Sequence, residues 1–481
     1  MKAVEGIEMM KAWKIAPVVL AASVFLTACG DRGTDTTAAQ TEGSAVQTEA
    51  EATTAPAASA DAPAEAESLE EKSKTLAMKV VSGDFAGVVA EFNDELKDTL
   101  SEENFRAGWE QMTVSAGQFQ DYYKTEAEES DKIYHCILQC EDSGIRLSFS
   151  YDEEGKVKSV WTDLFAIPPE LTENETLKEQ EIQIPFTSNG TEYQLSGVLT
   201  LPAGVEKPPV VILVQGSGQS DYNESIKGNK PFQDLAFGLA EKGIASIRYN
   251  KRYYQFPGQA PGALTISDEV LDDAATAIQM AAGLDSVDGS RIYLIGHSLG
   301  GMLAPKIAQD NPQLIGLISL AGTPRNLADV VYDQNVDALD QMADVNELQK
   351  QASLAQLKQM VEQAKSVSDL TDQTNLIGLP TCYWASLNQI DTVSIVKELK
   401  IPMLFLQGTA DFQVKPDTDF AAWKEALDGH ENAQFQTYED LNHLFMKTNG
   451  KTDVSEYDVP GHVEQAVIDD IAAFILENAA E

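Results

Sequence analysis

One stretch near the middle of the chain constrains the fold more than any other. Arg291-Ile292-Tyr293-Leu294-Ile295 reads as a short buried strand, Gly296-His297-Ser298-Leu299-Gly300 follows at once, and Gly301 opens a helix. A strand that turns into a helix without a loop brings two backbones into contact, and small residues two before and two after the serine permit that approach. Such a turn is strained and lifts the Ser298 hydroxyl above the end of the strand. An ordinary Gly-Ser turn would leave the buried strand before it and the further glycine at 301 unexplained.

The surrounding sequence supplies the sheet that such a turn needs. A hairpin is expected at 180–187 and 192–201, with Asn189-Gly190 as its turn. Strands at 209–214, 244–249, 291–295, 314–320, 401–406 and 434–438 then alternate with helices at 234–241, 268–282, 300–309, 417–427 and 462–477. Alternation of this kind implies a mostly parallel sheet covered on both faces, with the hairpin adding antiparallel strands at one edge. Between Pro324 and Lys400 the rhythm breaks into a helical, Gln- and Asp-rich excursion without a convincing strand.

Residues 180–478 resemble the α/β-hydrolase superfamily, and within it the serine-aminopeptidase-like branch that includes secreted esterases. The elbow around Ser298 carries the resemblance, with Gly228-Asn229-Lys230-Pro231-Phe232 and Arg248-Tyr249-Asn250-Lys251-Arg252. The second motif is typically followed by Gly, where this chain has Tyr253-Tyr254. The resemblance implies an α/β fold with a helical cap, here about residues 326–400. It also implies the chain order nucleophile, acid, base. Asp411, in the Gln407-Gly408-Thr409-Ala410-Asp411 run after the 401–406 strand, is the acid expected on that order, with Asp440 as runner-up; Asp417 is expected to cap the next helix. Of the five histidines, His443 alone directly follows the last strand. His135 lies in the N-terminal part, His297 fills the variable place of the elbow, His430 precedes the last strand and His462 opens the final helix.

A serine attacks only when a base takes its proton and the developing oxyanion meets hydrogen-bond donors. The backbone N–H of Leu299, at the helix start, is one expected donor. Ser217, in the Gln215-Gly216-Ser217-Gly218 run after the first parallel strand, is the other. The superfamily commonly has His where this chain has Gln215. Lys251 and Arg252 are candidate contacts for an anionic substrate group, against the plainer reading that they are paired or solvated.

Ahead of this unit, 69–168 is expected to be a smaller α+β domain. Helical periodicity runs through Leu76, Val80, Phe85, Val88 and Phe92 and again around Phe105 and Trp109, and strands follow at 118–126, 132–140, 144–151 and 156–163. The helix with Trp109 and the Gly117-Gln118-Phe119 junction resemble a domain of unknown function found before some secreted hydrolases, and the aromatics read as core. Farther upstream, 30–68 is an acidic Ala/Thr/Glu/Ser/Pro stretch that cannot bury a core and reads as a tether. Lys11 and Lys14 precede an apolar run from Ile15 to Leu26, too short to span a bilayer, and Leu26-Thr27-Ala28-Cys29 resembles the bacterial lipobox. On that resemblance 1–28 is a lipoprotein signal peptide, with Met10 an alternative start, and Cys29 carries the lipid anchor on the extracytoplasmic side of the membrane.

With 76 acidic and 34 basic residues the formal charge is −42, which repels nucleic-acid phosphates. Cys136, Cys140 and Cys382 read as buried thiols, since positions four apart on a strand lie roughly 13 Å apart and cannot be bridged. No metal or organic cofactor is implied. The expected activity is hydrolysis of a small carboxylic ester through an acyl-enzyme. A serine aminopeptidase and a mainly binding lipoprotein are the rivals.

Overall fold

The computed structural model describes residues 68–140, 143–166, 168–188, 190–256, 264–342 and 345–478. The signal peptide, Cys29, most of the tether and Asn189 of the hairpin turn lie outside the described residues. Two compact units divide the chain at Phe165 and Ala166.

The smaller unit opens with helices α1 (Leu69–Val81), α2 (Phe85–Val89), α3 (Asp94–Thr99) and α4 (Glu102–Ala116). Each starts where a short polar side chain accepts the N–H three residues on: Ser68 from Glu71, Asp84 from Gly87, Asn93 from Leu96 and Ser101 from Asn104. The strands β1 (Phe119–Glu128), β2 (Ile133–Cys140), β3 (Gly144–Tyr151) and β4 (Val157–Phe165) form an antiparallel meander in sequence order. Leu76, Val80, Phe85 and Trp109 of the helices pack on Cys136, Leu138, Leu147 and Phe149 of the sheet. Most aromatics of this unit and both cysteines are therefore core, the cysteines as buried thiols, while Tyr123 and Trp161 are exposed.

The larger unit begins with the hairpin β5 (Leu177–Ser188) and β6 (Thr191–Pro202), longer at both ends than its alternation suggests. There follow β7 (Val210–Val214), α5 (Pro231–Glu241), β8 (Ala245–Tyr249), a short α6 (Arg252–Gln255), α7 (Asp272–Gly283), β9 (Ile292–His297), α8 (Leu299–Asp310) and β10 (Leu314–Leu320). The strand order is β14-β13-β10-β9-β7-β8-β6-β5, where β13 is Met403–Gly408 and β14 is Ala433–Tyr438. All pairs from β14 to β8 are parallel, while β6 meets β8 and β5 antiparallel. β7 shows why a continuous apolar run suits a sheet covered twice: Val210, Ile212 and Val214 enter one core with α7 and α8, and Val211 and Leu213 enter a second with α5 and the last helix.

Three local expectations change. The last helix, α14, is Gln465–Asn478. His462 therefore does not open it: exposed, it pairs with Asp234, which also accepts the Val463 N–H and holds this segment out of the helix. A π-turn, Pro416–Phe420, precedes α13 (Ala421–Ala426), and Asp417 faces solvent there. No side chain caps this turn; Asp419, inside it, reaches back and accepts the Lys415 N–H at 2.8 Å.

The excursion is helical: α9 (Leu327–Gln341), α10 (Glu347–Ser366), a ribbon of β11 (Asn375–Leu376) with β12 (Leu379–Pro380), α11 (Thr381–Leu387) and α12 (Thr392–Glu398). α9 packs on α10 and α10 on α11, while α12 packs on α8; all four reach the main core, through Ala328, Val361, Tyr383 and Val396. Thus α12 is the ordinary crossover helix between β10 and β13, and the inserted part is α9 to α11. Its ends meet where Asn326 Nδ2 donates to Asn388 Oδ1 at 3.3 Å.

Candidate active site

The elbow has the geometry its glycines require. Ser298 sits at φ 52°, ψ −114°, a backbone conformation that side chains rarely adopt. Its N–H donates to Leu320 O of the neighbouring strand at 2.9 Å, and its C=O accepts the Met302 N–H at 2.9 Å. A Cβ on Gly296 would lie 2.2 Å from Gly300 O, and one on Gly300 would lie 2.3 Å from Val214 O. No residue larger than glycine fits between these backbones. Ser298 is partly exposed, and its Oγ makes no hydrogen bond among the described residues.

The loops after β13 and β14 touch each other, since a Cβ on Gly408 would meet Leu441 O at 2.3 Å. From the second loop His443 Nδ1 reaches Asp411 Oδ2 at 2.7 Å, with both side chains buried. Asp411 is fully supplied: Oδ1 accepts the N–H groups of Gln413 (2.8 Å) and Val414 (3.0 Å), and Oδ2 also accepts Gln407 Nε2 (2.8 Å). Asn442 shapes the histidine turn by accepting the N–H groups of Leu444 and Met446. Asp440, the runner-up, is exposed, with its backbone at φ 59°. His443 and Asp411 thus pair, and the His443 loop meets the elbow through His297, which neighbours Ser298 and donates from Nε2 to His443 O at 2.9 Å. Asp440 makes no hydrogen bond or ion pair with His443 among the described residues.

The segment after β7 lies against the elbow. A Cβ on Gly216 would be 3.1 Å from Ser298 Cβ and 3.6 Å from its Oγ. Side chains hold three backbone groups of this loop. Gly216 N–H donates to Glu224 Oε1 at 2.5 Å, Gly218 N–H donates to Glu269 Oε1 at 2.8 Å, and Gly216 C=O accepts Lys251 Nζ. Gln215 turns its amide inward to Tyr249 O and Asp221 O. The Ser217 N–H has no acceptor among the described residues, and neither does that of Leu299 at the first position of α8, where a helix leaves its N–H groups unpaired.

Lys251 and Arg252 do not present free charge. Lys251 is buried and pairs with Glu269 at 2.7 Å; Arg252 pairs with Asp273 at 2.8 Å and lies over the Phe186 ring. Burial of a cation without a partner is costly, so the fold supplies acids to both. This corrects the expectation of anionic-substrate contacts. Tyr383 of α11, fully buried, has its hydroxyl pKa pushed well up, first by burial and then by the Glu269 charge.

His297 is buried behind the elbow. Its Nε2 donates to His443 O at 2.9 Å and its Nδ1 lies 3.0 Å from Glu224 Oε1. Burial opposes a charge on this ring, but the Glu224 carboxylate outweighs it and the pKa ends above the ordinary value. His135 belongs to the other unit, hydrogen-bonded to Ser148. The glutamates at 224 and 269 and Gln407 escape sequence reading. In a chain with 76 acids nothing distinguishes two that face backbone amides.

Loops arrayed on the carboxyl edge of a mostly parallel sheet, with a strained serine after a central strand, define the α/β-hydrolase class. A family model described as serine aminopeptidase, S33, matches residues 226–449, and one described as a protein of unknown function, DUF3887, matches 73–160. Esterase EstD of Thermotoga maritima is 30% identical over 416 residues, 85% of this chain and 96% of that protein. Among solved structures, Est1E from Butyrivibrio proteoclasticus aligns at 18% identity and TM-score 0.40 over 63% of this chain and 99% of its own. A Pyrococcus furiosus esterase aligns at 15% identity and TM-score 0.41 over 65% and 97%. The chain belongs to the serine aminopeptidase S33 family of α/β-hydrolases, with a DUF3887 domain ahead of the hydrolase unit.

Proposed function

We propose that this hydrolase cleaves carboxylic esters through an acyl-enzyme on Ser298. The observation that carries the reading is the 2.7 Å contact of His443 Nδ1 with an Asp411 whose other lone pairs are already filled. That contact fixes the proton on Nδ1 and leaves Nε2 as the base. His443 Nε2 takes the Ser298 proton as Oγ attacks the acyl carbon, and the carbonyl oxygen becomes an oxyanion facing the Ser217 and Leu299 N–H groups. Collapse expels the alcohol, which receives the proton from His443. Water, deprotonated by the same ring, then releases the acid and restores the serine. No step calls for a metal or an organic cofactor.

The esterase relative supports an ester, and the family description supports a second reading, an aminopeptidase. That chemistry needs a carboxylate free to receive a substrate ammonium. Glu224 and Glu269, the acids that approach the loop beside Ser298, already accept backbone N–H groups. Labelling by a fluorophosphonate and turnover of p-nitrophenyl acetate should both disappear in Ser298→Ala, by roughly 10⁴ to 10⁶-fold in kcat. Retained labelling refutes the nucleophile. Faster cleavage of amino-acid p-nitroanilides than of acyl esters refutes the ester reading.

The reading includes an extracytoplasmic enzyme held to the membrane by acyl chains on Cys29 and a tether over 30–68. Leu26-Thr27-Ala28-Cys29 after a basic and apolar run supports it. Cys29→Ser should abolish incorporation of labelled palmitate, and unchanged incorporation refutes the anchor.

A further inference from the structure

Glu224 and His297 connect three parts of the site that are far apart in sequence. Glu224 Oε1 accepts the Gly216 N–H from the loop beside Ser298 and stands 3.0 Å from His297 Nδ1. His297, the residue immediately before Ser298, donates through Nε2 to the backbone carbonyl of His443, and the two imidazole rings lie 4.7 Å apart. The chain of contacts therefore runs from amide loop to elbow to base.

The local structure shows that this link is built in. Glu224 is buried and held at φ 53°, in the left-handed region that a residue with a side chain rarely occupies. Its Oε2 is buried with no hydrogen-bond partner among the described residues. A cavity of about 10 Å³ beside the pair is walled by Phe232, Leu235, Leu320, Leu444 and Val463 among others. The groups of opposite or like charge that face His297 are Glu224, His443 and Asp411. Oε1 of this carboxylate serves the Gly216 amide by a hydrogen bond and the imidazole by close charge contact, since His297 Nδ1 makes no aligned hydrogen bond. Burial leaves little solvent to compete for either.

We propose that Glu224 and His297 are positioning residues that tie the oxyanion loop to the loop carrying the base, so that the Ser217 N–H and His443 Nε2 keep a fixed distance from Ser298 Oγ. The inference rests on the assignment of Ser298 and His443 above and adds residues that touch neither substrate nor reacting atoms. Tilting the Gly216 peptide moves the Ser217 N–H, the next amide along, and releasing His443 O frees the base to drift from Oγ. A displacement of about 1 Å at either costs on the order of 100-fold in rate. Because the substrate is not held by these groups, the loss falls on kcat and leaves KM in place.

The experiment measures kcat and KM on p-nitrophenyl acetate, the rate of fluorophosphonate labelling and the melting temperature for Glu224→Gln, His297→Gln, His297→Leu and the Glu224→Gln/His297→Gln double variant, with Ser298→Ala as control. Glutamine at 297 retains a donor able to reach His443 O, and leucine does not. The expected result is a fall in kcat of about 10- to 100-fold for Glu224→Gln and His297→Leu with KM within about threefold, partial rescue in His297→Gln, and a double variant no worse than its slower parent. Should His297→Leu not fold, Glu224→Gln and the double variant decide the matter alone. Folded Glu224→Gln with kcat within twofold of wild type overturns the proposal, as does a rise in KM at constant kcat. If Ser298→Ala keeps its labelling, the assignment of the nucleophile fails instead, and the two failures are read separately.

Discussion

Replacing Asp411 by Asn removes one charge and moves no heavy atom, yet the surroundings dictate how the new amide must lie. Oδ1 receives two backbone N–H groups, from Gln413 at 2.8 Å and Val414 at 3.0 Å, so the carbonyl oxygen of Asn must stay there. The NH2 group then takes the place of Oδ2 and faces His443 Nδ1, which was 2.7 Å away. A donor at that place forces the imidazole to offer its Nδ1 lone pair and to carry its proton on Nε2. The nitrogen that must accept the Ser298 proton is then occupied. Gln407 Nε2, which served Oδ2, also donates to Val414 O at 3.1 Å and Gly408 O at 3.3 Å, so its amide stays as it is and now faces the new NH2 donor to donor. The fold therefore gives up one buried hydrogen bond, about 1–3 kcal/mol, while catalysis loses its base. The expected fall is about 10⁴-fold in kcat, or about 5.4 kcal/mol at ~1.36 kcal/mol per decade. Steady-state hydrolysis of p-nitrophenyl acetate measures it, with a melting curve to show that the variant is folded. A folded Asp411→Asn enzyme within tenfold of wild type, or an equal loss in Asp440→Asn, would refute the argument.

Gly300→Ala places a Cβ 2.3 Å from Val214 O and 2.9 Å from Gln215 O, both rigid backbone atoms. Overpacking of about 1–3 kcal/mol should lower the melting temperature by several degrees, and an unchanged melting point would show that the elbow is looser than drawn. Lys251→Met leaves Glu269 buried without its cation and Gly216 O without its donor. Neutral-ester kcat should fall tenfold or more, whereas a residue that merely bound anionic substrates would raise KM for anionic esters alone. The His297 pKa is raised in the folded state, so this group adds stability fully below the unfolded value of about 6.5 and loses it as pH rises through the higher folded value. The melting-temperature difference between wild type and His297→Gln should therefore shrink from pH 6 toward pH 9, and a widening difference contradicts the Glu224 ion pair.

Much of this architecture is legible in the chain because its signals are local. β7 is a continuous apolar run, which states that both sheet faces are covered, and Gly296, Gly300 and Gly301 state that strand and helix meet closely. Position in the strand order then singles out Asp411 and His443. The clamp around the loop at 215–218 was not legible, since Glu224, Lys251 and Glu269 converge on it from three separate segments and each bonds to backbone, which has no sequence signature. Lys251 and Arg252 misled for the same reason: a basic pair in a motif looks available until its buried acids are seen. The start of α14 shifted because Asp234, more than two hundred residues earlier, holds the Val463 amide. In the excursion, periodicity identified helices but not which of them completes the β10 to β13 crossover.

The meeting of Asn326 with Asn388 gives that insertion the character of a cassette. Its entry and exit lie side by side, while the crossover helix α12 and the strands on either side belong to the sheet. Exchanging it would leave the joint and the strand registers in place, but the replacement would have to refill the places that Ala328, Val331, Val361, Tyr383 and Trp384 take in the main core. A graft made at those two asparagines would therefore have to bring its own apolar face to the sheet, and its outer face alone would be open to change.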